Sequence, residues 1–301
     1  MSVAGLCSCP ACDARVSARP IAVPDHEYGL AWKASYVECG ECRSTFQVPM
    51  PRPDQLSAFY PAGYHSFGRT GMLTRMRFDM RIRRLQALSA AKGAVLDHGC
   101  GDGSFLVRAA EQIPECSFFG YEISDREEVV ELVKGRVTLI RGSEADLLRL
   151  LPRCGLITMN HVIEHLPNPL ETLSQLKERL LPNGILEGQT PAANSFEHRL
   201  FGNRWSGYHA PRHTVVFSAA GLNNLLKRAG FEVVRINGAF NPAGIAVSLC
   251  SMGADAELPS RIERKGVKWL FSLACAAPLC VLDSISSAPG IVNFSALRSG
   301  Q

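Results

Sequence analysis

The sequence predicts an α/β fold: a doubly wound, mostly parallel sheet of seven strands with a small cysteine-rich module ahead of it. Three observations point there. From residue 94 onward, short apolar runs alternate with amphipathic ones. The stretch VLDHGCGDGSF (95–105) places three glycines in five positions directly behind an apolar run. Two CxxC pairs stand near the start of the chain. Alternation of this kind implies parallel strands joined by right-handed helical crossovers. Bulk composition agrees, since 46% hydrophobic and 20% charged residues describe an ordinary globule. A chain of 301 residues can bury one large domain plus an appendage. The formal charge of +4 is a mild bias toward anionic partners and does not demand nucleic acid.

In chain order, the first element is the module at 1–50. CPAC and CGEC form a CxxC-x26-CxxC pattern through Cys9, Cys12, Cys39 and Cys42. Two such knuckles bring four thiolates around one Zn²⁺, a closed and therefore structural set. Cys7 is a spare that could compete with Cys9. Fifty residues hold too little core to fold without the metal, so chelation is expected to unfold them first. Residues 51–93 read as a linker and a helical cap. Three prolines in VPMPRPDQL mark the linker. Pro61 and Gly63 interrupt the next stretch, and a helix is expected over 73–91. Its arginines, Arg75, Arg77, Arg81, Arg83 and Arg84, read as a solvated face.

The domain proper spans 94–301. Strands are expected at AVLDH (94–98), CSFFGYEI (116–123), RVTLI (136–140), GLITMN (155–160), GILEGQT (184–190), FEVVRI (231–236) and GIVNFSALR (290–298). Most lack polar alternation, as strands covered on both faces do. Helices are expected at SFLVRAAEQI (104–113), REEVVELVKG (126–135), PLETLSQLKERLL (169–181) and SAAGLNNLLKRAG (218–230). Ser218 is the expected N-cap of the last of these, and Gly230 its C-terminal stop. An apolar helical insertion occupies about 256–286.

In such a sheet the first strand-to-helix turn binds a nucleotide-like ligand, and bare backbone lets the loop approach it. Gly99, Gly101 and Gly103 run G-x-G-x-G. Ser104 stands where a dinucleotide fingerprint wants its last glycine, and no phosphate-loop G-x-x-x-x-G-K-[ST] exists. Glu122 follows Gly103 by 19 residues, at the end of the second strand, where a carboxylate can grip both hydroxyls of a ribose. Asp125 is the near alternative. VLDHGCGDGSF, the acid of GYEIS and NHVIEHLPNPLETLSQLKERLLPNGIL together resemble the class I S-adenosylmethionine-dependent methyltransferases, over roughly residues 55–240. That resemblance implies a Rossmann-like sheet with S-adenosylmethionine as cofactor. It also implies that Asp97, Gly99, Cys100, Gly101 and Gly103 cradle the methionine part, Glu122 holds the ribose, and Ser143 and Glu144 flank the adenine. Asn160 and His161 would line the methionine side. His98 departs from the small aliphatic residue usual there. A zinc ribbon ahead of this domain is similar to a bacterial group acting on specialised metabolites.

The acceptor is expected under FGNRWSGYHAPRHTVVFS (201–218), which comes after the fifth strand. Trp205, Tyr208 and Arg212 would contact it. Alignment of the acceptor is the protein's main task, and a base is useful for a hydroxyl or acidic carbon. His209 is the first candidate, with His213, His161 and His165 behind it; Glu164 and His165 could instead brace the next helix. The expected reaction is O-methylation of a small molecule. C-methylation, RNA base methylation and cofactor binding without catalysis are the alternatives. Against RNA, NHVIEH replaces a stacking N-P-P-Y motif, and the module lacks a basic patch with interleaved aromatics. No stretch near the N-terminus is apolar enough for an export signal, and the eleven cysteines then suggest a reducing, cytoplasmic setting. Arg261, Arg264, Lys265 and Lys268 precede an apolar run from Trp269 to Leu282. Segment 261–283 could therefore contact a membrane surface at its inner face, or a lipid-like acceptor.

Overall fold

The computed structural model describes residues 6–60, 72–88, 93–253, 255 and 257–299. The expected breaks at Pro61 and Gly63, and the last turn of the expected 73–91 helix, lie outside them. The described helix there, α2, runs Met72–Ala87; a single turn, α1 (Pro53–Leu56), precedes it.

The main sheet is laid down by β6 (Ala94–His98), β7 (Ser117–Ile123), β8 (Glu128–Leu132), β9 (Val137–Gly142), β10 (Cys154–Asn160), β11 (Leu180–Pro191), β13 (Phe231–Gly238) and β14 (Ile291–Arg298). Its order is β13-β14-β11-β10-β6-β7-β9-β8. Strands β11, β10, β6, β7 and β9 are mutually parallel, and β14 inserts antiparallel between β11 and β13. β10 is buried at every position except its last, because helices cover both faces. Those helices are α3 (Ser104–Gln112), α4 (Glu144–Leu150), α5 (Pro169–Arg179) and α7 (Ala219–Arg228). Ser218 caps α7 by accepting from the Gly221 N–H, as expected, and Gly230 turns the chain at φ +83°.

The sheet has eight strands, one more than expected, because REEVVELVKG is not a helix. Residues 128–132 form the edge strand β8, antiparallel to β9. Val130 and Leu132 turn inward onto the core while Val129 and Glu131 face out, so the twofold period of a strand prevails. Val133, Lys134 and Gly135, all at positive φ, close the hairpin.

On α2, Arg75, Arg77 and Arg83 are exposed as expected, whereas Arg81 and Arg84 are half-buried. Arg81 reaches Asp97 at 3.0 Å and Arg84 reaches Glu187 at 3.0 Å, tying the helix to two sheet strands.

In the N-terminal module, β1 (Cys7–Ser8) and β2 (Arg15–Val16) form a hairpin, and β3 (Ile21–Pro24), β4 (Lys33–Glu38) and β5 (Thr45–Gln47) a second sheet. That sheet takes its fourth strand, β12 (Val215–Val216), from the far end of the chain. One continuous core joins Ala11, Cys39 and Phe46 to Leu222, Leu225 and Leu226. Contact is so close at Gly221 that a Cβ there would lie 1.9 Å from Ser44 Oγ.

Beyond the sheet, α6 (Phe196–Phe201) leads into the loop 202–214, and α8 (Pro242–Ser251) packs on α9 (Gly266–Ser284). α9 buries Ser272, Ala276, Cys280 and Asp283, a stripe at helical spacing. Val267, Leu270, Phe271 and Leu282 stay exposed. Among the described residues it is the one helix long and apolar enough to cross a membrane.

Candidate active site

The glycine loop is built by the turn from β6 into α3. Gly99, Gly101 and Gly103 all take positive φ, between +61° and +78°, a region L-residues with a Cβ rarely adopt. Two of them are also confined. A Cβ on Gly99 would lie 2.4 Å from Val162 Cγ2, and one on Gly103 2.7 Å from Leu139. The Gly99 and Cys100 N–H groups donate to the Tyr121 carbonyl at 2.8 and 2.9 Å. The Gly101 N–H donates to Glu122 Oε2 at 2.8 Å. Burial pushes the Glu122 carboxyl upward, and the Gly101 bond partly offsets it. Asp97 is held by Arg81 and by the Thr158 hydroxyl, which donates at 2.5 Å. The loop, Glu122 and Asp97 therefore converge, with the thiol of Cys100 packed against Gly120.

The expected adenine contacts are placed differently. Ser143 is the N-cap of α4, accepting from the Asp146 N–H and donating to its carboxylate at 2.6 Å. Glu144 accepts from the Thr172 hydroxyl on α5 at 2.9 and 3.0 Å, so its carboxylate is spent on helix packing. His98 lines the same small cleft with Glu144 and Thr172. Neither ring nitrogen of His98 has a hydrogen-bond partner, and burial pushes its pKa down to about 4. It is thus a neutral ring packed 4.8 Å from Tyr121.

Beyond the tip of β10 the chain turns sharply, with His161 at φ +56° and its N–H donated to the Gln189 carbonyl. Val162 then meets Gly99, which places His161 beside the loop. His161 keeps 41% of its side chain exposed, with Nε2 3.0 Å from Gln189 Oε1 and Nδ1 3.3 Å from Glu164 Oε1. Asn160, the last residue of β10, is half-buried there.

Glu164 is fully buried and accepts from Thr190 Oγ1 at 2.9 Å. Burial pushes its pKa up, but His161, His213 and His165 outweigh this and bring it to about 2. The rings of His165 and His213 stand 4.6 Å apart, and those of His209 and His213 5.0 Å. Burial holds His213 well below its ordinary pKa. His209 adopts a left-handed backbone, and its Nδ1 lies 2.6 Å from Glu27 Oε2 in the N-terminal module.

The first-choice histidine is therefore corrected. His209 and His213 are each less than a tenth exposed and engaged inside the protein; of these three candidates His161 is the accessible one. The three expected acceptor contacts are corrected too. Trp205 and Tyr208 are buried in the core shared with Val23 and Tyr36. Trp205 donates to Glu197 at 3.2 Å, and Tyr208 shares a hydrogen bond with His198. Arg212, wholly buried, donates to Asp25 at 2.9 and 3.1 Å and to the Phe59 carbonyl at 3.0 Å. All three brace the loop against the module. Sequence reasoning missed Asp25, Glu27 and Tyr60, whose partners lie more than a hundred positions away; no local spacing announces them.

The four cysteines come together as expected. Cys9 and Cys42 Sγ lie 3.6 Å apart, as do Cys12 and Cys39, and all four are within 4.8 Å of one another. Each knuckle closes through a residue at positive φ, Asp13 and Arg43, whose N–H bonds back to the first cysteine's carbonyl.

A family model described as a methyltransferase domain matches residues 73–236. The chain is 29% identical over 121 residues to a trans-aconitate 2-methyltransferase of Deinococcus radiodurans, covering 39% of this chain and 46% of that protein. It is 30% identical over 173 residues to a probable S-adenosylmethionine-dependent methyltransferase of Mycolicibacterium smegmatis, covering 56% and 63%. A malonyl-[acyl-carrier protein] O-methyltransferase of Halalkalibacterium halodurans is 28% identical over 112 residues, covering 34% and 41%. The chain spans about half the length of the curated relatives it matches.

Proposed function

The chain belongs to the class I S-adenosylmethionine-dependent methyltransferase family, and from that premise we propose that it methylates an oxygen of a small molecule beside His161. The observation that carries this reading is the position of His161. It is the exposed imidazole next to Val162, whose side chain abuts Gly99 of the cofactor loop.

The residues present fit the cofactor. Gly99, Gly101 and Gly103 offer a backbone cradle that a Cβ would obstruct, and Glu122 presents a buried carboxylate at the next strand tip. Asp97 to Gly103 would hold the methionine part and Glu122 the ribose diol. S-adenosylmethionine supplies an activated methyl group, which is the hard part of the chemistry. The chain's own work is to orient the acceptor and keep water out. An imidazole at the strand tip can accept the hydroxyl proton, with the Gln189 side-chain oxygen orienting the ring through Nε2. Support for oxygen as the acceptor atom comes from the likeness to a named O-methyltransferase.

We also read the four cysteines as a structural zinc site. Ligand sulfurs on a tetrahedral zinc at about 2.3 Å stand about 3.8 Å apart, close to the 3.6 Å found here and far from a disulfide.

The test uses methyl-labelled cofactor and fractionated metabolite extract. His161→Ala should lower turnover by about 100-fold while calorimetry still detects S-adenosylhomocysteine. His209→Ala should leave turnover closer to wild type. Unchanged turnover in His161→Ala would remove the imidazole from the reading; absence of cofactor binding in wild type would remove the reading itself.

A further inference from the structure

Glu164, His165 and His213 converge from two separate segments of chain, and their tautomers can be assigned. His213 Nδ1 stands 2.7 Å from the Gly207 carbonyl, and His165 Nδ1 stands 3.1 Å from the Arg212 carbonyl. A backbone carbonyl only accepts, so both Nδ1 atoms carry the proton, and that of His165 is shared with the Tyr60 hydroxyl oxygen, 2.9 Å away. The remaining nitrogen of each neutral ring, Nε2, then carries a lone pair. His213 Nε2 lies 3.8 Å from Glu164 Oε1. That oxygen is fully buried and has no hydrogen bond of acceptable geometry. One nitrogen of each ring and a Glu164 oxygen lie within 4.8 Å of one another.

The buried Glu164 oxygen faces an imidazole lone pair, and its 3.3 Å contact with His161 Nδ1 falls short of hydrogen-bond geometry, so it is poorly satisfied in a dry interior. A cation between them removes both penalties. Two ligand atoms on one tetrahedral zinc at about 2.1 Å stand about 3.4 Å apart, so the 3.8 Å gap needs little adjustment. Histidine ligands characteristically donate their other N–H to a carbonyl or carboxylate, which fixes the ring for the metal. Both rings here already do so. The other Glu164 oxygen is likewise fixed, by Thr190.

We propose that Glu164, His165 and His213 form a second metal site, for a divalent ion of the zinc class, at the tips of β10 and β11. Two imidazoles and one carboxylate suit zinc, cobalt or iron(II) and are a poor match for calcium or magnesium. The site lies in the turn just past β10, beside His161, and is independent of which atom is methylated. It is also separate from the four cysteines in donor chemistry, which makes the two sites distinguishable by spectroscopy.

The experiment strips the full chain with chelator, reconstitutes it with Co²⁺, and measures metal content and absorption together. Wild type should take two ions per chain, one giving intense thiolate charge-transfer bands and one giving only weak nitrogen–oxygen bands. Glu164→Gln should lose the weak bands and bind the second ion more than about tenfold less tightly. His165→Asn, at a half-buried position, repeats the test with less risk to folding, and circular dichroism checks both. If thiolate bands are absent while the weak bands appear and vanish in the variants, the cysteine reading fails and this one stands. A wild type with thiolate bands alone, or variants that keep the second ion, would overturn it.

Discussion

Two clusters of side chains suited to a metal, one within the N-terminal module and one at the strand tips, are assembled in opposite ways. The cysteine knot is local: two tight turns each deliver a pair of thiols, and a positive-φ residue closes each turn. The histidine–carboxylate cluster is tertiary, drawing Glu164 and His165 from the turn after β10, His213 from the loop before β12, and Tyr60 from before α2. The first organises a segment with little core of its own. The second is held by a scaffold that already exists, including the buried Asp25–Arg212 pair and the Glu27–His209 contact. A local knot should therefore govern stability, and a tertiary knot should govern what happens at the strand tips.

The largest expected effect breaks the local knot. Structural zinc contributes roughly 10 kcal/mol or more of folding free energy in small modules. Chelation, or Cys39→Ser, should unfold the module and loosen α7, whose Gly221 lies against Ser44. Hydrogen exchange would show protection lost over residues 6–50 and 219–228 together. Protection retained in α7 while the module opens would mean that the two are less coupled than their shared core implies. The next effect tests the scaffold of the tertiary knot. Asp25→Asn leaves the Arg212 guanidinium buried without its counter-charge, which should cost about 3–5 kcal/mol. Urea unfolding measures it, and a loss below about 1 kcal/mol would show that water or the Phe59 carbonyl compensates.

The same contrast explains what the sequence disclosed. The CxxC pairs, the glycine loop and Glu122 were legible because each rests on a short-range rule: knuckle spacing, bare backbone, an acid at a strand end. β8 was misread because Val129, Val130 and Leu132 satisfy a helical pattern as well as a strand pattern, and only the hairpin through Gly135 decides. Trp205, Tyr208 and Arg212 suggested a pocket because aromatics and a cation suit one. They are instead packed between module and domain, a contact set by β12 joining the module's sheet. Nothing in the order of residues announces that Glu27 meets His209 across 182 positions.

The smallest effect sharpens the comparison with a buried acid outside both knots. Glu197 is buried, as Glu164 is, but faces Asp283 rather than imidazoles. Burial and that neighbouring charge push its pKa from 4.5 to about 7, whereas the histidines around Glu164 push the other way. A carboxyl whose folded pKa is raised binds its proton more tightly when folded. Its contribution is present below about pH 4.5 and is lost as pH rises through 7. A shift of that size corresponds to about 3 kcal/mol at most, reduced by whatever relaxation the pair allows. Glu197→Gln keeps the neutral shape and the acceptor for Trp205, so it should flatten the fall in thermal midpoint between about pH 5 and about pH 8. A midpoint that falls equally in wild type and Glu197→Gln would assign the alkaline loss to another group and leave Glu197 ionised in the fold.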